Sequence, residues 1–113
     1  MAIISYAQTT NEYLSGLKTE TRRDWSSRQF MMWLNFWDTG NLIHDAWDKL
    51  PRAGGKFIGK FRLTDRPFLQ QLKEMTQENL IAEGGMCKTV DEFCKFIGKK
   101  PEDWVTVITF KKL

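Results

Sequence analysis

The run Gly16-Leu17-Lys18-Thr19-Glu20-Thr21-Arg22-Arg23-Asp24-Trp25 decides how this chain is read. From Lys18 to Arg23 it alternates Thr19, Thr21 and Arg23 against Lys18, Glu20 and Arg22, the two-residue period of an extended strand. Neither face of that strand carries an apolar side chain, so burial of hydrocarbon does not explain it. An edge strand uses charges of this kind to discourage pairing with other chains. A ligand site uses them to hold an anion or nucleotide, with Arg22 or Arg23 gripping phosphate or carboxylate bidentately. A P-loop is excluded, because Gly16 is not adjacent to Lys18 and the order here is helix then strand.

On the N-terminal side, Ala2 to Ala7 is a short β-prone run. Thr9 and Glu12 then have the spacing of a capping box, which predicts a helix bearing Tyr13 and Leu14 and ending at Gly16. On the C-terminal side, Ser26 and Gln29 form a second such box, and Phe30, Trp33, Leu34 and Trp37 fall at i, i+3, i+4 and i+7, a stripe that should face inward. Leu42 to Trp47 reads as a strand, Pro51 to Gly55 as turn chemistry, and the alternation through Phe57, Phe61 and Leu63 as a further strand. Pro67 suits the first turn of a helix bearing Phe68, Leu69 and Leu72. Thr76 should cap a helix that carries Leu80 and Ile81 and stops at Gly84-Gly85. Thr89 and Glu92 repeat the capping box, opening a helix with Val90, Phe93, Cys94 and Ile97 on one face and Gly98 at its end. Trp104 to Phe110 is apolar on both faces, which predicts a central strand despite its place near the end of the chain.

These elements describe one α+β domain over residues 1–113, a length at which a single core needs neither disulfide nor metal. The longest apolar run, Phe30 to Leu34, is far short of the roughly 20 residues a membrane span requires, so no membrane partner is expected. The first residues lack a basic leader and a long apolar stretch, which makes the cytoplasm the expected compartment. Seventeen Lys and Arg against 14 Asp and Glu leave +3, a mild bias toward anionic partners. Cys87 and Cys94 lack C-x-x-C spacing and are expected to be reduced; Cys94, on an apolar helix face, reads as core. The single histidine, His44, has no triad companion in reach and reads as structural, and no metal or other cofactor is expected.

Two further positions break a local rule. Glu83 puts a carboxylate in the last turn of a helix, against the negative end of the macrodipole, at a cost of roughly 0.3–1 kcal/mol if exposed. It is either a tolerated surface glutamate or an acid or base delivered by the Gly84-Gly85 bend. Trp25, directly after the basic strand, is either a stacking surface for a base or a core residue at a strand end.

In sum these residues resemble the ASCH domain of the PUA-like superfamily. The resemblance rests on Gly16-x-Lys18-Thr19-x-Thr21-x-Arg23, on Asp45-Ala46-Trp47-Asp48-Lys49, and on Ala53-Gly54-Gly55-Lys56 running into the Ile58 to Thr64 strand. It continues through Met75-Thr76, Ala82-Glu83-Gly84-Gly85 and Glu92-Phe93 to the closing Val105 to Phe110 strand. It covers nearly the whole chain and implies a mixed-sheet pseudobarrel with flanking helices, a cleft beside the G-x-K-T strand, and a nucleoside or RNA as partner. Small bacterial members include an amidohydrolase that removes the acetyl group of N(4)-acetylcytidine with a Lys, a Thr and a later Glu. Those positions correspond to Lys18, Thr21 and Glu83; beside them Thr19, Arg22, Arg23 and Trp25 are expected to bind the ligand or RNA. Other members are ribonucleases or bind RNA without chemistry, so a non-catalytic RNA-binding module is the alternative. The Trp-rich stretch from Ser27 to Asp38 lies outside the minimal amidohydrolase pattern.

In a regular strand Lys18 and Thr21 face opposite sides, so cooperation requires Lys18 to lie in a turn or bulge. Two assignments then stand open. A desolvated Lys18 amine deprotonates Thr21, or Lys18 remains an ammonium that stabilises the oxyanion while Glu83 moves the proton.

Overall fold

In a computed structural model that describes residues 2–113, the chain forms six strands and four helices. Their order is β1 (Ile3–Ser5), α1 (Thr10–Leu14), β2 (Glu20–Arg23), α2 (Ser27–Asp38), β3 (Ile43–Trp47), β4 (Phe57–Leu63), β5 (Phe68–Gln71), α3 (Gln77–Ala82), α4 (Val90–Ile97) and β6 (Trp104–Lys112). The strands make one mixed sheet along the path β1-β3-β4-β6-β2, with β5 also on β6; β1 and β3 are parallel and every other pair is antiparallel.

The sheet is organised by β6. Its C-terminal end pairs with β4, and its N-terminal half lies between two strands, with Val107 opposite Arg22 on one side and Phe68 on the other. The apolar residues on both of its faces are thereby explained. Ile108 and Phe110 enter a core with Tyr6, Tyr13, Trp33 and Phe61, while Val105, on the opposite face, enters a second core with Leu72, Leu80 and Phe93. The sheet does not close into a barrel; β1 and β2 are the ends of its path. What bridges them is a side chain, for Arg23 Nη2 donates to the Ser5 carbonyl at 2.7 Å.

Several sequence expectations need correction. Residues 68–71 form a strand rather than a helix, because β4 reaches only Phe110 to Lys112 and the outer edge of β6 from Trp104 to Val107 takes β5 as its partner. Pro67, which has no N–H, suits the entry to an edge strand as well as that of a helix. Thr9 precedes α1 but its side chain makes no capping bond, since its backbone (φ −137, ψ 30) is not the extended conformation a cap requires. Thr89 does accept from the Glu92 N–H, yet Glu92 reaches back one residue too far and takes the Lys88 N–H instead. The box of Ser26 and Gln29 is complete. On α2 the buried stripe is turned from the expected one: Trp33 is buried, with Phe36 and Trp37 rather than Phe30 and Leu34 packed on the core beside it. Cys87 and Cys94 are buried free thiols. None of the helices among the described residues is long and apolar enough to cross a membrane.

His44, fully buried on β3, is held as the neutral Nε2–H tautomer: Nδ1 accepts from the Ala2 N–H at 3.1 Å, which leaves Nε2 to donate to the Asn41 carbonyl at 2.8 Å. Burial pulls its pKa below the ordinary value, with the Asn41 bond opposing in part. Protonation of Nδ1 would turn the acceptor against a donor. Below about pH 6.5 the unfolded chain therefore binds a proton that the folded one resists, and stability falls as pH drops from there through the lower folded value. Urea titrations at several pH values should show this loss in the wild type and a smaller one in His44→Gln, whose amide offers one donor and one acceptor at any pH.

Candidate active site

The site is built where the chain between α1 and β2 is tied down by its backbone. The Lys18 N–H donates to the Glu12 carbonyl at 3.1 Å, the Thr19 N–H to the Ala82 carbonyl at 2.7 Å, and the Thr19 carbonyl accepts from Phe110 at 2.9 Å. Strand geometry begins only at Glu20, so Lys18 stands outside the alternation and shares a cavity with Thr21. Glu83 arrives as the C-cap of α3, with Gly84 and Gly85 at positive φ turning the chain after it. A Cβ at Gly84 would lie 2.9 Å from Glu12 Cγ, so the bend that places Glu83 against α1 needs a glycine there.

Lys18, 2% exposed, donates from Nζ to Glu83 Oε1 at 2.7 Å and to the Glu83 carbonyl at 2.9 Å. The ammonium thus satisfies a helix-terminal carbonyl and neutralises the carboxylate that the macrodipole opposes. The other oxygen, Glu83 Oε2, accepts from Arg22 Nη1 at 3.0 Å. Arg22 in turn is fixed by Glu20 Oε1 at 2.9 Å and Gln70 Oε1 at 3.0 Å, and Asn79 donates to the same Glu20 oxygen at 3.1 Å. Burial draws the Lys18 pKa down; the charge and hydrogen bond of Glu83 oppose that, and Arg23 and Arg22 add to the lowering.

Arg23 donates from Nε to Thr21 Oγ1 at 3.1 Å, and its guanidinium lies over the Tyr6 ring, 5.6 Å from the centroid. Together with its bond to Ser5, this makes Arg23 an internal strut. The Thr21 hydroxyl, buried at 2% exposure, accepts that bond and makes no direct hydrogen bond to Lys18 or Glu83 among the described residues. Of the four buried side-chain donors without a partner among the described residues, Tyr6 Oη and Arg22 Nη2 belong to residues of this site; the others are Trp47 Nε1 and Thr106 Oγ1. Burial raises the Tyr6 pKa well above its ordinary value, so the phenol is neutral.

Lys18, Thr21, Arg22, Arg23 and Glu83 all line one cavity of about 210 Å³, with Phe93, Phe96 and Ile97 of α4 and Met86 as its apolar wall. Two members of the expected set lie outside it. Thr19 is exposed, held by its backbone, and Trp25 stacks on Trp33 at 5.3 Å between centroids, beside a second groove bordered by Arg23, Gln29, Met32 and Leu50. The Trp-rich α2 borders that groove and not the cavity. Sequence reading missed Tyr6, hidden in a β-prone run that looks like ordinary core. It also missed the double use of α4, whose apolar face supplies both core and cavity wall. Comparison with models of protein families, with curated proteins and with solved structures finds no match for this chain.

The arrangement joins a hydroxyl, an amine of lowered basicity and a carboxylate in a small site with an apolar wall. That combination suits acyl transfer, in which a nucleophile, a proton carrier and an oxyanion donor are all required.

Proposed function

We propose that the chain is an ASCH-type domain with a PUA-like pseudobarrel, acting in the cytoplasm as an amidohydrolase that deacylates a nucleoside of the N(4)-acetylcytidine kind. One observation carries the reading: Lys18 and Glu83, distant in sequence, meet at 2.7 Å in the cavity that Thr21 also lines. Its volume, about 210 Å³, is below the roughly 300–1,000 Å³ typical of drug-sized ligands, which favours a single nucleoside over a length of RNA.

The roles follow from the proton inventory. Burial lowers the basicity of Lys18, which readies Nζ to hand one proton to Glu83 Oε1 across their 2.7 Å contact. The freed amine takes the Thr21 proton through a bridging water or the bound ligand as Oγ1 attacks the acyl carbon. The restored ammonium, with an N–H to spare, supports the oxyanion. Collapse breaks the bond to N4, the protonated Glu83 gives its proton to the departing amine, and water then hydrolyses the acyl-threonine.

Purified protein incubated with N(4)-acetylcytidine should release cytidine and acetate, followed chromatographically. An inert protein that instead binds RNA oligonucleotides with steep salt dependence would replace this reading with the non-catalytic binding module.

A further inference from the structure

We propose that the cavity has a second lobe that takes a phosphate group, so that the preferred ligand is a phosphorylated nucleoside. The base in the first lobe rests on the nucleoside reading above; the phosphate in the second does not need the hydrolytic one. A separate cavity of about 180 Å³ adjoins the first, and Gln8, Arg22, Arg23 and Ile97 line both. Its remaining polar lining is Asp24 and Lys99.

Three features of this lobe select an anion. Arg22 carries five N–H donors, of which Nε and the two on Nη1 are engaged, while Nη2 is buried without an acceptor. The Arg22 side chain is 0% exposed, so this donor stands behind the wall the two cavities share, and its charge is felt there without a direct contact. Lys99 is held by backbone at the end of α4, its N–H on the Cys94 carbonyl at 2.9 Å, and its ammonium pairs with Asp24, whose side chain is 61% exposed. An exposed ion pair of that kind is exchanged for a better partner at little cost. Around the two lobes Lys18, Arg22, Arg23 and Lys99 face Glu20, Glu83 and Asp24, four cations to three anions. Gln8, exposed on the shared wall, adds an amide donor. A phosphate displacing Asp24 from Lys99 would therefore meet Lys99 Nζ and Gln8, with the charge of the Arg22 guanidinium behind the shared wall, while Asp24 turns to water.

The displacement gives the proposal an unusual signature, since Asp24 competes with the ligand. Calorimetric titrations of wild type, Lys99→Gln and Asp24→Asn with cytidine, cytidine 5′-monophosphate, a short oligocytidylate and inorganic phosphate read it directly. Wild type should bind the monophosphate about tenfold tighter than cytidine, by a margin that shrinks as salt rises. Lys99→Gln should erase the margin, and Asp24→Asn should widen it severalfold without changing cytidine binding. Asp24 is the exposed end of the pair and Lys99 the half-buried one, and matching melting curves would establish that both variants fold. An oligocytidylate bound more tightly than the monophosphate identifies the phosphate source as an RNA backbone, and equal or weaker binding identifies a free nucleotide; both support the lobe. Equal affinity for cytidine and its monophosphate, or a margin untouched by Lys99→Gln, overturns the lobe and leaves the nucleoside reading standing. Phosphate binding that depends on Lys99, without binding of cytidine, overturns the nucleoside reading and leaves the lobe. If no probe binds, both fall.

Discussion

Glu83→Leu should cost about 3–5 kcal/mol of stability, as much as truncating a large core side chain. Glu83 is 3% exposed and its carboxylate is the shared acceptor of Lys18 and Arg22, so its removal strands two buried cations. Arg22 keeps Glu20, but Lys18 keeps only the residue-83 carbonyl and must shed its proton to remain buried, which limits the cost. The double variant Lys18→Met/Glu83→Leu should be less destabilised than the sum of its parts by about 1–3 kcal/mol, because replacing a buried pair by apolar groups is far cheaper than breaking it. Urea unfolding of the four proteins measures this. Additive losses would mean that the pair, despite its 2.7 Å contact, is not energetically coupled.

The same network shows what a sequence carries and what it hides. The G-x-K-T-x-T-x-R run marks a candidate site because nothing apolar explains it, and Glu83 stands out because it opposes a helix dipole; the two anomalies meet in one ion pair. The C-terminal strand is legible as central from its apolar residues on both faces, each of which serves a different core. β5 is not legible, since Pro67, Phe68, Leu69 and Leu72 fit a helical start locally, and only the open edge of β6, set by residues more than thirty positions later, selects a strand. The failed cap at Thr9 has the same character: the residue types are right, and the backbone leaving Tyr6 is not. Tyr6 is hidden for a different reason. Its ring packs on Tyr13 at 4.7 Å as a core residue would, and only its place on the cavity wall and its unpartnered hydroxyl set it apart. Arg23 illustrates the limit of composition, for a residue type that grips phosphate is spent on Thr21, Ser5 and the Tyr6 ring.

Thr21 separates chemistry from scaffolding most sharply. Thr21→Val preserves shape and removes the hydroxyl, so turnover of N(4)-acetylcytidine should fall by at least about a hundredfold in kcat with little change in KM, as expected for a group that bonds to the substrate only in the transition state. It also removes the acceptor of Arg23 Nε, and an unpaired buried donor of this kind costs about 1–3 kcal/mol, so a drop in stability accompanies the loss. Thr21→Ser dissects the two effects. It returns both the hydroxyl and the acceptor, and should bring back stability and turnover together to within about tenfold of wild type. A covalent signature completes the test: rapid quenching of wild type with substrate should trap an acyl group on a peptide containing Thr21, and the valine variant should trap none. If Thr21→Val turns over at the wild-type rate, the attacking oxygen belongs to water. The Lys18–Glu83 pair would then serve as the base for that water, and the role of Thr21 would reduce to holding Arg23 across the open seam between β1 and β2.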